Sequence, residues 1–225
     1  MLTFIHVSMP NKIPEISPKF VDGKRMYETP DGNFPSITTV LGKLPRFSFG
    51  IKNWIEKVGE DFAKFESKRC LERGSQFHKI AQSYLENKLD TNGFGLLAKS
   101  LFENTKDEIN QINFIQGVEL PLWSKELGVA GTTDCIGNYK NTLSVIDFKT
   151  ATRPKKKEWL TSYFLQETAY SLMYEERVGI PIEQLVTIVS SEDGQVQVFV
   201  ESRDNFVNEL KDCLAEFQQN KVVVQ

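Results

Sequence analysis

Residues 131–150 constrain the fold more than any other stretch of the chain. Gly131-Thr-Thr-Asp134 runs into Asn138-Tyr-Lys-Asn141, a turn signal, and then into Val145-Ile-Asp147-Phe-Lys149-Thr150. Successive side chains of a strand point to opposite faces. Asp147 and Lys149 therefore share one face, while Ile146 and Phe148 share the other. A hairpin turning at residues 138–141 brings Asp134 onto the neighbouring strand. Two carboxylates on adjacent strands can hold a hard divalent cation through oxygen ligands. A lysine beside them can position or deprotonate an attacking water. That chemistry suits a phosphodiester. An isolated Asp-x-Lys is common and is usually a solvated strand face, so the weight rests on its company.

Two helical segments supply that company. Arg73-Gly74-Ser-Gln-Phe-His78-Lys-Ile-Ala-Gln-Ser-Tyr-Leu has Phe77, Ile80, Ala81, Tyr84 and Leu85 at helical spacing. His78 lies beside that stripe, one turn beyond Gly74, where another backbone could approach closely. Gln166-Glu-Thr-Ala-Tyr170 puts an amide and a phenol on one helical face.

A helical Gly-x-x-x-His, an Asp, an Asp-x-Lys and a Gln-x-x-x-Tyr helix, in that order, resemble the RecB-like branch of the PD-(D/E)XK nuclease superfamily. The likeness is to the mitochondrial genome maintenance exonuclease type and its phage relatives. It covers residues 51–200, with weaker likeness in Tyr27-Glu-Thr-Pro-Asp-Gly and Pro35-Ser-Ile-Thr-Thr-Val-Leu. The resemblance implies an αβββαβ core and a metal-dependent deoxyribonuclease, an exonuclease acting on single-stranded DNA ends. It implies that His78, Asp134 and Asp147, with the Phe148 backbone carbonyl, hold the metal, and that Lys149 serves the attacking water. Gln166 and Tyr170 would hold the substrate, with Arg73 and Thr150 also on the DNA side. Glu119, in Gly117-Val-Glu-Leu-Pro-Leu-Trp, matches an acidic position of less uniform role and is kept as an auxiliary catalytic residue. Cleavage would leave 5′-phosphate ends. Mg²⁺ keeps several waters and needs few protein ligands, while a histidine ligand makes Mn²⁺ competent. The same residues would serve a structure-selective or RNA-acting nuclease equally well. A non-cleaving single-strand-binding recombination factor is the rival from another class, but mere binding has no use for carboxylates that repel phosphate.

Composition adds looser limits. At 225 residues with 40% hydrophobic content, the chain can bury a good core, and one elaborated domain suits it better than two. The expected division is an N-terminal β and loop extension over 1–50, a helical segment over 51–112 and a catalytic core over 113–225. A net charge of −3 excludes a generally basic nucleic-acid binder but not a nuclease whose cations are confined to one channel. Arg153-Pro-Lys-Lys-Lys157 is the one dense basic run; beside the Asp-x-Lys strand, Arg153, Lys155, Lys156 and Lys157 are expected to contact phosphate. Cys70, Cys135 and Cys213 are scattered and cannot supply four ligands for an iron–sulfur cluster. They fit free thiols of a reducing compartment. No stretch is apolar for long enough to cross a membrane, and the N-terminus lacks secretory or mitochondrial targeting character. These points suggest a cytoplasmic protein of a bacterium or phage-infected cell.

Periodicity and turn residues outline the elements. A hairpin turns at Asp31-Gly32, kept at an edge by flanking prolines. Residues 49–88 read as two helices broken near 70–74, and 96–112 as another. Strands follow at 114–122, 128–139 and 143–149, then a helix over 158–178 closed by Gly179. Strands at 184–190 and 195–201 flank Glu192-Asp-Gly194, and 204–219 is the closing helix. The sum is a mixed α/β sheet with helices on its faces. His6 reads as structural; Trp54, Trp123 and Trp159 read as packing residues, with Trp159 also placed to stack on a base.

Overall fold

The computed structural model describes residues 3–21 and 24–222. A small antiparallel sheet comes first: β1 (Pro18–Val21), β2 (Lys24–Thr29) and β3 (Gly32–Pro35), with Thr29 paired to Gly32, so the hairpin turns at Pro30-Asp31, one residue before the Asp31-Gly32 turn expected. Four helices follow, α1 (Ile37–Lys43), α2 (Pro45–Val58), α3 (Glu60–Leu85) and α4 (Leu96–Ile109). The main sheet is then laid down as β4 (Ile112–Ser124), β5 (Val129–Tyr139) and β6 (Thr142–Ala151), each antiparallel to the last. Lys140 and Asn141 turn the second hairpin with φ of 49° and 70°, the left-handed pair that a two-residue hairpin loop requires. Helix α5 (Thr161–Val178) crosses over, so that β7 (Gln184–Ser191) runs parallel to β6, and β8 (Val196–Ser202) returns antiparallel to β7. Helix α6 (Val207–Val222) closes the chain. The strand order β4-β5-β6-β7-β8 gives a five-stranded mixed sheet, the mixed α/β class expected.

The alternation read from residues 145–148 fixes which layer covers which face. Ile146 and Phe148 are buried with Phe77, Ile80 and Phe102, that is, against α3 and α4. Val145 is buried with Val40, Leu165, Met173 and Leu210, from α1, α5 and α6. The sheet is thus covered on both sides, and β6 lies at its centre. Gly179 ends α5 at φ 81°, as its position after the last apolar residue predicts.

Two expectations fail. The long helical segment does not break at 70–74; α3 passes through Gly74 and the break lies at Gly59, whose φ of 86° and ψ of 151° lie outside the helical region. An interior glycine costs a helix only about 1 kcal/mol, which packing of Phe77, Ile80 and Ala81 readily outweighs. The N-terminal extension is also not purely strand and loop. Ser36 accepts the Thr39 N–H at 3.1 Å and starts α1, whose Ile37, Val40 and Leu41 are buried. Its β-branched composition hid a short helix.

Candidate active site

The two strands carrying the aspartates separate where those residues stand. β5 and β6 pair from Tyr139↔Thr142 only as far as Cys135↔Ile146. Beyond that point β5 stays paired with β4 out to Val129, and β6 stays paired with β7 out to Ala151. The sheet therefore forks. Separation leaves backbone donors to satisfy, and Asp134 answers one: its Oδ2 accepts the Phe148 N–H at 2.7 Å. Its Oδ1 lies 3.3 Å from His78 Nδ1, on α3.

Glu119 reaches the same place from β4. It stands between the pairs Val118↔Cys135 and Leu120↔Thr133 with φ 48°, in the left-handed region. Such backbone costs about 1–3 kcal/mol and concentrates at functional sites. His78, Glu119 and Asp134 each offer one ligand atom within 4.8 Å of the others. Glu119, expected to be auxiliary, is therefore the third member of this group. Asp147 lines the same cavity but stands outside the group, held by Lys149 and by the Gln166 amide at 3.3 Å. Lys149 in turn sits 4.8 Å from the centroid of the Tyr163 ring.

Burial dominates the titration of the site. Burial, reinforced by Asp134, pushes Glu119 up to about 7. Burial also pushes Asp147 up to about 6, against the pull of Lys149. Asp134 is buried as well, yet the charges of His78 and Lys149 hold it below the ordinary carboxylate value. Burial works against the His78 imidazolium, but the Asp134 carboxylate carries it up to about 9. Lys149 is likewise raised, because Asp147 and Asp134 outweigh its desolvation.

Gln166 and Tyr170 form the far side. Gln166 Nε2 bridges Asp147 and, at 3.2 Å, the Tyr170 hydroxyl. Tyr170 lies so close to β5 that a Cβ at Gly131 would meet its Cε1 at 2.5 Å. Gly131 supplies that space. Gly74, where close approach was expected, needs none: a Cβ there would sit 3.5 Å from Thr150 Oγ1, an ordinary contact. The cavity these residues line opens to solvent and measures about 520 Å³.

Relatives similar in sequence are exonucleases by name. Mitochondrial genome maintenance exonuclease 1 of Mus musculus is 32% identical over 131 residues, 55% of this chain and 38% of that protein. The Homo sapiens protein of the same name is 25% identical over 173 residues, 71% of this chain and 50% of that protein. The chain is a homologue of these exonucleases. It spans half or less of their length. A solved structure of a presumptive exonuclease from Eubacterium rectale has a TM-score of 0.45 at 11% identity, over 68% of this chain and 66% of that one. No protein-family model matches the chain.

Against this homology, the residues expected to contact DNA divide. Arg73 is buried, with its guanidinium committed to Glu192 and to Thr150 Oγ1 at 3.2 Å. These contacts tie α3 to the end of β6 and to the turn after β7. In the basic run, Lys157 pairs with Glu201, Lys156 lies 5.6 Å from the centroid of the Trp159 ring, and the Lys155 backbone is held by Gln197. Arg153 is exposed. None of the four lines the cavity. Trp123 is buried and donates to Asp31, whereas Trp159 is 62% exposed and does not pack in the core. His6 is structural, its Nε2 2.8 Å from the Leu85 carbonyl.

The cavity also contains residues the sequence reading passed over. Ser75, Lys79 and Gln82 line it with His78, at the i, i+3, i+4, i+7 spacing of one face of α3. That polar stripe, beside the apolar one, was visible in the sequence. Arg25 from β2 and Thr38 from α1 complete the wall, and nothing local marks them.

Proposed function

We propose that this protein is a metal-dependent deoxyribonuclease that degrades single-stranded DNA from its ends, in DNA processing or recombination. The observation carrying this reading is the fork between β5 and β6, where His78, Glu119 and Asp134 converge beside the Asp147–Lys149 pair. Imidazole plus carboxylates is a donor set suited to Mg²⁺ or, with the histidine, Mn²⁺. Glu119 and Asp147, both pushed up toward neutrality by burial, fit a centre built around an added cation. His78, Glu119 and Asp134 would hold the ion, with Asp147 and the Phe148 carbonyl close by. A divalent ion there supplies Lewis-acid polarisation of the phosphate and lowers the pKa of water.

The remaining work belongs to the chain. Asp134 both aims at the site and locks the Phe148 backbone, so the fork cannot close without losing a hydrogen bond. Lys149, fixed between Asp147 and the Tyr163 ring, orients the attacking water and offsets the negative charge that develops on the phosphoryl oxygens. Gln166 and Tyr170 keep Asp147 in register with the substrate. The homologues' names support exonuclease action. Three free thiols and helices of which none, among the described residues, is long and apolar enough to cross a membrane support a cytoplasmic setting.

End-labelled single-stranded DNA, duplex DNA and RNA, each incubated with Mg²⁺ or Mn²⁺, test the reading. Short 5′-phosphorylated products from the single strand are expected, with duplex and RNA cut more slowly. Absence of cleavage of all three with either ion would overturn it.

A further inference from the structure

Two cations reach the cavity from elements outside the fork. Arg25 stands on β2 and Lys79 on α3, and both line the cavity with Glu119, Asp134 and Asp147. The Arg25 guanidinium lies 5.3 Å from the centroid of the Tyr27 ring. Tyr27 is fully buried, and its hydroxyl is 3.1 Å from Thr132 Oγ1 on β5. The Arg25 carbonyl accepts the Ser36 N–H at 2.9 Å, and Ser36 caps α1, which delivers Thr38 to the same cavity. Arg25 is thus located by an aromatic ring and its own backbone. Among the described residues, neither Arg25 nor Lys79 is ion-paired with a carboxylate, whereas Lys149, Arg73 and Lys157 each are.

That difference has a chemical consequence. A DNA strand entering a cavity with three carboxylates is repelled unless positive charge meets the phosphates beside the reacting one. Lys149 is already neutralised by Asp147. A guanidinium presents a planar fork to phosphate oxygens, and an ammonium adds a mobile point charge. Seated over Tyr27, the fork loses little freedom on binding.

We propose that Arg25 and Lys79 form a phosphate clamp that holds, from two separate walls, the phosphate adjoining the scissile one in a single strand. The clamp rests on the nuclease reading and gives the N-terminal extension a place in substrate binding. Its ligand is a phosphate monoester or diester of DNA, either a terminal 5′-phosphate or an internal linkage.

Fluorescence anisotropy with a short labelled single-stranded oligonucleotide, in EDTA and over a series of salt concentrations, tests it. Arg25→Gln and Lys79→Gln should each weaken binding by roughly tenfold. Each should also flatten the log–log salt dependence by about 0.7. With Mn²⁺ the same variants should raise KM by a similar factor. Comparing 5′-phosphorylated with 5′-hydroxyl oligonucleotides separates the two ligands: a wild-type preference lost in the double variant assigns the clamp to the terminal phosphate, and a loss equal for both assigns it to an internal one. Lys79 is exposed, so its variant is decisive even if Arg25→Gln unfolds the extension. A Lys79→Gln protein that cuts DNA with unchanged affinity, salt slope and KM overturns the clamp alone. A wild-type protein that cuts nothing with any divalent ion overturns the nuclease reading instead.

Discussion

Residues 147–150 and residues 153–157 lie almost side by side in sequence and carry charge under opposite conditions. In the first segment Asp147 is 1% exposed and its partners are fixed: Lys149 on its own strand and Gln166 on α5. In the second, Arg153, Lys156 and Lys157 are exposed; Lys156 lies by the exposed Trp159, and Lys157 reaches a half-buried Glu201. Exposed pairs are screened and contribute about 0–1 kcal/mol, whereas a group withdrawn from water acts in a lower dielectric and feels every neighbour. The denser charge in the sequence is therefore the weaker field in the fold. Besides Lys149, the cations that face the cavity are Lys79, from the polar stripe of α3, and Arg25, which nothing in its local sequence announces.

Substitutions can break that contrast. Asp147→Asn should remove more activity than the about 100-fold upper end seen for supporting residues around a metal, while oligonucleotide binding is kept or strengthened. Steady-state cleavage and anisotropy on the same preparation read both; a folded variant cutting at the normal rate would end the assignment. Lys149→Arg should lose most of its turnover with metal and DNA affinity little changed, because a forked guanidinium does not reproduce an ammonium wedged between Asp147 and Tyr163. Gly131→Ala should destabilise the protein by about 1–3 kcal/mol and slow cleavage, since the new methyl collides with Tyr170. Thermal denaturation together with kinetics would show whether both effects appear. Arg73→Ala should lower stability, by up to about 3 kcal/mol given the partly exposed Glu192, with less change in DNA affinity. The reverse pattern would return Arg73 to the DNA face. The smallest effect is expected from changing Lys155, Lys156 and Lys157 together to Ser. Its salt-slope change should stay below the about 0.7 of a single phosphate contact, and a larger change would place the run on the DNA path after all.

What could be read from the sequence follows the range of the interactions involved. Asp147, Lys149, Ile146 and Phe148 were separable because strand alternation needs only neighbours, and the turn at Lys140 and Asn141 because left-handed φ selects its residues. The Gly179 stop is local in the same way. Glu119 was undervalued because its entry into the His78–Asp134 group depends on a left-handed kink within β4 that no residue type signals. The Arg73 ion pair was not legible because its partner Glu192 lies in the turn between β7 and β8, far along the chain. Arg25 and Thr38 were missed for the same reason: their position depends on Tyr27 finding Thr132 and on Ser36 starting a helix. The fork itself is a failure of pairing, and pattern alone predicts where strands form rather than where they part.

The central claim is that the fork holds a divalent ion and that Asp134 is indispensable to it. Electron paramagnetic resonance of free Mn²⁺, titrated into the wild-type protein and into Asp134→Asn, measures this without any DNA present. The account predicts that the wild-type protein depletes the free-ion signal, while Asp134→Asn, verified as folded by circular dichroism, leaves it close to that of buffer. Equal depletion by both proteins would contradict the metal centre proposed at His78, Glu119 and Asp134.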